Sequence, residues 1–184
     1  MNDIDVIIIT GQSGVGKTIL IDMLIKQHPE LKIVISATTR QIRTGEINGE
    51  NRIFVTRKEF DEMVANGELA CLKQDIQGNC YAIPKNLNGN IIDLDLQGIK
   101  KFKAEFPNLR ILSIGLKQHG LRCFYRMLKR GDKLPNIFDR IRQDKAFKEM
   151  DEVVDSVYHP KNQTVEETAD AVWRIIMNKT KTNH

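Results

Sequence analysis

Cysteine is scarce, with Cys71, Cys80 and Cys123 the three in a chain of 184 residues. An odd number without metal-ligand spacing argues against a disulfide framework and fits a reducing compartment. Long apolar runs are missing too: none approaches the roughly 20 residues that a membrane-spanning helix needs. Asp3 and Asp5 stand where a secretory leader carries basic residues, so a cytoplasmic protein without membrane attachment is expected. Charge of one sign is not in large excess. A net charge of +4 suits a small anionic substrate. No basic stripe accompanies it, so no nucleic-acid partner is expected. Lys100, Lys101 and Lys103 read as a solvated helix face. His28, His119, His159 and His184 form neither a triad nor a metal grouping, and there are no repeats or low-complexity tracts.

What remains is an ordinary globular composition, 41% hydrophobic and 28% charged, enough for one domain with a small insert. Residues 4–9, "IDVIII", are β-branched with little alternation, as in a buried parallel strand. Further strands are expected at 31–36, 52–56, 90–96 and 109–116, with a last one within 151–158. Helices are expected from Lys17 to Gln27, over "KEFDEMVANG" up to Gly67, and at 97–105, 119–130, 135–149 and 164–178. "LACLKQDIQGNCYAI" alternates weakly around a Gly-Asn turn and predicts a hairpin. Strand–helix alternation at both ends around a β-rich insert predicts a three-layer α/β domain with a parallel central sheet and a small antiparallel subdomain.

The most specific local signal is "GQSGVGKT". Gly11-x4-Gly16-Lys17-Thr18 satisfies the P-loop spacing between a predicted strand and a predicted helix. Backbone N–H groups of Gly11, Ser13, Gly14, Val15 and Gly16 can close around phosphate oxygens, aided by the positive end of the helix. Lys17 can reach the β- and γ-phosphates, and the Thr18 hydroxyl can bind Mg²⁺. ATP is the expected donor. P-loops also serve switches and motors, so the acceptor must be read elsewhere.

The second signal is "SATTRQIRTGEINGENRIF". Arg40 and Arg43 follow a predicted strand beside the hydroxyls of Ser36, Thr38 and Thr39. Two guanidinium forks with neighbouring hydroxyls suit a phosphate monoester. From here the chain resembles the guanylate kinase family over nearly its whole length. The marks run in order: the P-loop, "SATTR..R.GE.NG", "F...EF..M...GE", "GN.Y", "DLDLQG" and "RMLKRGD". The resemblance implies transfer of the ATP γ-phosphate to a nucleoside monophosphate, with Arg40, Arg43 and Tyr81 on the acceptor phosphate. It implies that Arg126, Arg130 and Arg140 belong to a lid carrying catalytic arginines. Asp93 and Asp95 match the acidic pair that organises Mg²⁺ and the acceptor. The implied layout is a single domain, with core 1–35 and 88–184, an acceptor-binding subdomain at about 36–87 and a lid at about 126–142.

The departures bear on the acceptor base. Arg52 stands where the family places a phosphate-binding Tyr, and is taken as an added acceptor-site cation. Cys71 aligns with the Glu that accepts hydrogen bonds from guanine N1 and N2, and Ile83 with the hydroxyl residue that reads guanine. Neither can make those contacts, and losing polar readout costs discrimination of several powers of ten. A shifted register could bring Glu68, Lys73, Gln74 or Asp75 into place. The chain is also short after Tyr81, lacking a helix of about two turns. Near the adenine, "VVDSVYHP" lacks the family's Asn. Three functions stay open: a kinase for GMP, a kinase for another phosphorylated acceptor, and a non-catalytic interaction domain. Retention of Lys17 and Thr18 weighs against the last. Oligomeric state is not readable.

Overall fold

The structure is a computed structural model that describes residues 4–42, 46–50, 52–75, 77–129, 131, 134–143, 149–161 and 163–181. Its centre is β1 (Val6–Gly11), buried at every position, as its unbroken β-branched run requires. It pairs in parallel with β6 (Ile91–Asp93) on one side and β7 (Ile111–Leu116) on the other. β8 (Ser156–Tyr158) extends the sheet beyond β7, giving the order β6-β1-β7-β8.

Strand alternation divides the core into two layers. Ile7 and Ile9 face α1 (Lys17–Gln27) and α7 (Val165–Lys181). Val6 and Ile8 face α3 (Leu96–Glu105) and Met150 of α6 (Met150–Val153). Helices therefore cover both sheet faces, the three-layer α/β arrangement expected from the alternation. Fully buried Ile99 and Phe102 of α3 each contribute about 2 kcal/mol by leaving water. No helix of the described residues is long and apolar enough to cross a membrane.

A second sheet has the order β3-β2-β5-β4, from β2 (Ser36–Thr38), β3 (Arg52–Phe54), β4 (Leu69–Gln74) and β5 (Cys80–Pro84). Its own small core joins Ala37, Leu69, Cys80 and Ala82 to Phe60 of α2 (Arg57–Ala65). A capping box starts α2: the Thr56 hydroxyl accepts from the Glu59 N–H while the Glu59 carboxylate accepts from the Thr56 N–H. β4 and β5 form the expected antiparallel hairpin. The sheet is nevertheless mixed, because β2 and β3 run parallel. The thirteen residues between them, 39–51, hold enough chain to reverse direction, which a tight hairpin turn does not.

One further expectation is corrected. Residues 31–36 do not form one strand. Ile33 bridges Ile91 at the edge of the parallel sheet, and the chain then enters the second sheet at Ser36. The apolar run is continuous because it crosses from one core to the other. Of the helix expected at 135–149, α5 (Leu134–Gln143) falls among the described residues and 144–148 lie outside them, while α4 spans Gly120–Lys129.

The junction between the sheets is closed by "NLNGN". Asn88 Oδ1 accepts from the Ile35 N–H and Asn90 Oδ1 from the Lys32 N–H, replacing ladder bonds with side-chain ones. Gly89 sits between them, where a Cβ would lie 2.4 Å from the Lys32 carbonyl oxygen and 2.5 Å from that of Ile33. Backbone cannot move aside as a side-chain end can. Gly89→Ala is therefore expected to cost about 3 kcal/mol or more, measured as a lowered denaturation midpoint. A midpoint within error of the parent would show that the junction is looser than this packing.

Candidate active site

The C-terminal ends of β1 and β6 lie side by side, with Ile9 opposite Asp93. Beyond Ile9 the chain turns through the P-loop into α1; beyond Asp93 it enters α3. One edge of the sheet thus brings the phosphate loop next to the acidic pair, the position where open α/β sheets bind ligands. Lys17 donates from Nζ to the carbonyl oxygens of Gly11 at 2.7 Å and Gln12 at 3.3 Å, so its ammonium folds back over the loop. Thr18 is exposed on the first turn of α1.

α4 leans on this loop. Gly14 has φ +77°, and a Cβ there would lie 2.5 Å from the Cys123 carbonyl oxygen, so only glycine allows the approach. One turn on, Arg126 Nη1 donates to the Val15 carbonyl at 2.9 Å and to Gln118 Oε1 at 2.8 Å. Arg126 therefore stands beside the phosphate loop. Arg140 belongs to α5, and Arg43 and Arg130 lie outside the described residues. Past the ends of β7 and β8, a groove is lined by Lys117, Gln118, His119, Arg122, His159 and Lys161.

Across the cleft the second sheet offers Ser36, Arg40, Arg52 and Tyr81, all partly buried. Arg40 binds Glu46 through both guanidinium nitrogens, at 2.8 and 3.0 Å, and lies 5.3 Å over the Phe54 ring. Its side chain is only 11% exposed, so it is turned inward. Arg52 donates to the Ser36 hydroxyl and lies 6.0 Å over the Tyr81 ring. The Tyr81 hydroxyl donates to Asp75 Oδ2 at 3.0 Å, and burial pushes the phenol above its ordinary value.

Asp93 ends β6 opposite Ile9. Burial raises its pKa, and the cations of both Lys17 and Arg52 oppose that rise, while neighbouring Asp95 reinforces it. Asp95 caps α3, accepting from the Gly98 N–H at 2.7 Å, and accepts an ion pair from Lys73. Glu46, Asp75 and Lys73 were not singled out as site residues from the sequence. Glu46 is the acid of "GE" in the quoted acceptor motif, and Lys73 and Asp75 entered only through the possible register shift. A charged residue in a motif was the available signal; its partner was not.

β4 carries a β-bulge between Ala70 and Lys73. Cys71 takes up the extra length at φ +54°, a conformation that costs an ordinary residue about 1–2 kcal/mol. Its N–H donates to both oxygens of Glu105, at 3.0 and 3.1 Å, and its side chain is buried among apolar residues of the α3 layer. Ile83 is buried in the same layer. Glu68, the other acid near the shift, accepts from Asn66 Nδ2 at 2.9 Å.

The family model for guanylate kinase matches residues 4–179. The chain is 38% identical over 109 residues to a guanylate kinase of Trichormus variabilis, covering 55% of this chain and 54% of that protein, about half its length. It is 30% identical to a guanylate kinase of Clostridium perfringens over 180 residues, 93% of this chain and 82% of that one. A crystal structure of guanylate kinase from Anaplasma phagocytophilum superposes with a TM-score of 0.68 at 24% identity, covering 97% of this chain and 87% of that one; this likeness is one of fold.

Burial, with the nearby Glu105 charge second, pushes the Cys71 thiol up to about 12. A group raised in the folded state favours folding below its unfolded value and loses that contribution as pH climbs through the folded one. Stability is therefore expected to fall between pH 9 and about 12, and less so in Cys71→Ala. At pH 8 iodoacetamide is expected to label Cys71 at least about 100-fold more slowly in the folded chain than in urea, read by peptide mass spectrometry. Equal labelling rates would mean that the thiol faces the cleft.

Proposed function

The chain belongs to the guanylate kinase family, and on that premise we propose that it transfers the γ-phosphate of ATP to a nucleoside monophosphate, with GMP as the leading acceptor. The observation that carries this reading is the register that ends β1 and β6 together, Ile9 opposite Asp93, and so sets the phosphate loop beside the acidic pair. Phosphoryl transfer asks little covalent chemistry of a protein. It requires two polyanions held in line while the charge between them is neutralised.

In this reading the loop N–H groups of Gly11, Ser13, Gly14, Val15 and Gly16 hold the donor phosphates, and Lys17 unfolds from its carbonyls onto the β- and γ-phosphates. Arg126 adds charge from α4, with Arg130 and Arg140 as its companions in a lid at about 126–142. Ser36, Arg40, Arg52 and Tyr81 hold the acceptor phosphate with Arg43, in a subdomain of about 36–87 inserted in the core. Asp95 completes the acceptor side. Thr18 and Asp93 suit Mg²⁺, because an exposed hydroxyl and a carboxylate that gains from a nearby cation are hard oxygen donors. Bound there, the ion would neutralise phosphate charge. Closure of the second sheet toward the P-loop would exclude water, which otherwise competes as acceptor. Such chemistry on ATP and a free nucleotide suits a soluble cytoplasmic enzyme.

A second reading keeps the chemistry with a different acceptor, favoured by the burial of both Cys71 and Ile83. A coupled ADP-release assay with a panel of monophosphates separates the two, and ADP release with none of them would leave a non-catalytic interaction role. Lys17→Ala is expected to lower kcat by at least about 1000-fold while the melting temperature holds; retained turnover would remove the P-loop from the chemistry. Arg40→Ala is expected to raise the acceptor KM by about 10- to 100-fold, with the ATP KM unchanged. An unaltered acceptor KM would take Arg40 out of the phosphate site.

A further inference from the structure

Gln118 follows the end of β7, at the sheet edge that carries the phosphate loop. Leu116, the last residue of that strand, pairs with Gly11 of β1 on one side and Tyr158 of β8 on the other. The chain just beyond it therefore runs between the loop and the segment that leaves β8 for α7. Gln118 is half-buried there and bonds to three separate parts of the sequence. Its N–H donates to Gln12 Oε1 at 3.3 Å, and its Nε2 donates to the Pro160 carbonyl at 3.0 Å. Its Oε1 accepts from Arg126 Nη1 of α4 at 2.8 Å.

The partners decide which end of the carboxamide faces which. A carbonyl only accepts and a guanidinium only donates, so Oε1 faces Arg126 and Nε2 faces Pro160. A carboxylate here would set an oxygen against the Pro160 carbonyl, and an apolar side chain would serve neither partner. Arg126 Nη1 carries a pair of hydrogens, which the Val15 carbonyl, at 2.9 Å, and Gln118 divide between them. A guanidinium is planar, and both of those hydrogens lie in its plane. Acceptors on both fix the tilt of the whole group against the loop, where a Cβ on Gly16 would lie 3.8 Å from Nη1. Val15 alone would let the group swing about a single bond. The close approach of Gly14 to the Cys123 carbonyl sets the α4 backbone; Gln118 sets the guanidinium.

We propose that Gln118 is a positioning residue, holding the Arg126 guanidinium in one plane against the phosphate loop so that Nη2 and Nε meet the transferring phosphate. This rests on the reading that the cleft transfers phosphate from ATP with Arg126 adding charge. Electrostatic catalysis works through groups already in place when charge develops. A misplacement of about 1 Å costs about 100-fold in rate. Gln118 supplies that placement from outside the phosphate site, through bonds to the loop and to the chain after β8.

The test measures kcat, the KM values for ATP and GMP, and melting temperature in the parent, Gln118→Met, Arg126→Ala and the double variant. Met keeps the length of Gln and lacks its amide. Gln118→Met is expected to lower kcat by about 10- to 100-fold and to move either KM by less than about threefold. With Arg126→Ala already present, the same change is expected to cost less than about twofold, since no guanidinium is left to place. A purely structural role would lower the melting temperature and cost the same factor in both backgrounds. That result, or an unchanged kcat, overturns the proposal. Gln118→Asn, whose amide falls one methylene short of the span, is expected to match Met and replaces it if Met does not fold.

A second readout needs no turnover. Arginine side-chain ¹⁵N NMR at low temperature is expected to resolve Nη1 and Nη2 of Arg126 in the parent, identified by their loss in Arg126→Ala, and to merge them in Gln118→Met. Resolved signals in both proteins, or in neither, overturn the clamp and leave the kinase reading standing if GMP is turned over. The expected merging, in a parent that releases ADP with no monophosphate, supports the clamp on Arg126 and overturns the kinase reading. Failure of both readouts overturns both.

Discussion

The register of β1 against β6 is the constraint on which the site depends. Parallel pairing puts Ile9 opposite Asp93, so the two strands end together and release their chains on the same side of the sheet. One chain becomes the phosphate loop, the other the capped start of α3. Neither element needs the other to form locally. Their proximity comes from a buried ladder whose residues are almost all β-branched or leucine. A slip of one residue would exchange the two faces of β1 between the α1–α7 and α3 layers, so the packing on both sides enforces the register.

Around this fixed point the cations are held by protein oxygens that, in the proposed reading, a phosphate replaces. Lys17 rests on loop carbonyls, Arg126 on Val15 and Gln118, Arg40 on Glu46, and Lys73 on Asp95. Half-exposed pairs such as Lys73–Asp95 contribute at most about 1 kcal/mol. Exchanging one for a charge-assisted bond to substrate therefore costs little. Arg40 differs: it is mostly buried, held bidentately and backed by Phe54. Glu46 keeps its fork in one plane, so the side-chain entropy of ordering it is spent during folding rather than on binding.

The legibility of the sequence follows from how local each feature is. The P-loop was readable because a buried strand, a glycine spacing and a helix lie within one short stretch, each carrying its own signature. The two-layer core was readable for the same reason, since β-branched runs and helical spacing announce themselves. Residues 31–36 misled because an apolar run records burial without recording in which core. The parallel pairing of β2 and β3 is a tertiary choice, and nothing in "RIF" encodes it. The charged partners were least legible: Glu46 and Asp75 look like loop solubilisers until the fold sets an arginine and a tyrosine beside them.

The bulge in β4 joins these threads. One extra residue between Ala70 and Lys73 does three things at once. It sends Cys71 into the α3 layer, where its N–H ties the second sheet to Glu105 and hence to the parallel sheet's own helix. In the proposed reading it also takes the position of the family's guanine-reading acid out of the cleft. It also turns an ammonium toward Asp95. A Cys at φ +54° is an uncomfortable way to build a strand, and the strain persists because the surrounding contacts outweigh it. A Glu substituted for Cys71 would carry its carboxylate into an apolar layer against Glu105, so the backbone geometry of the bulge, and not the side chain alone, decides what this position can present.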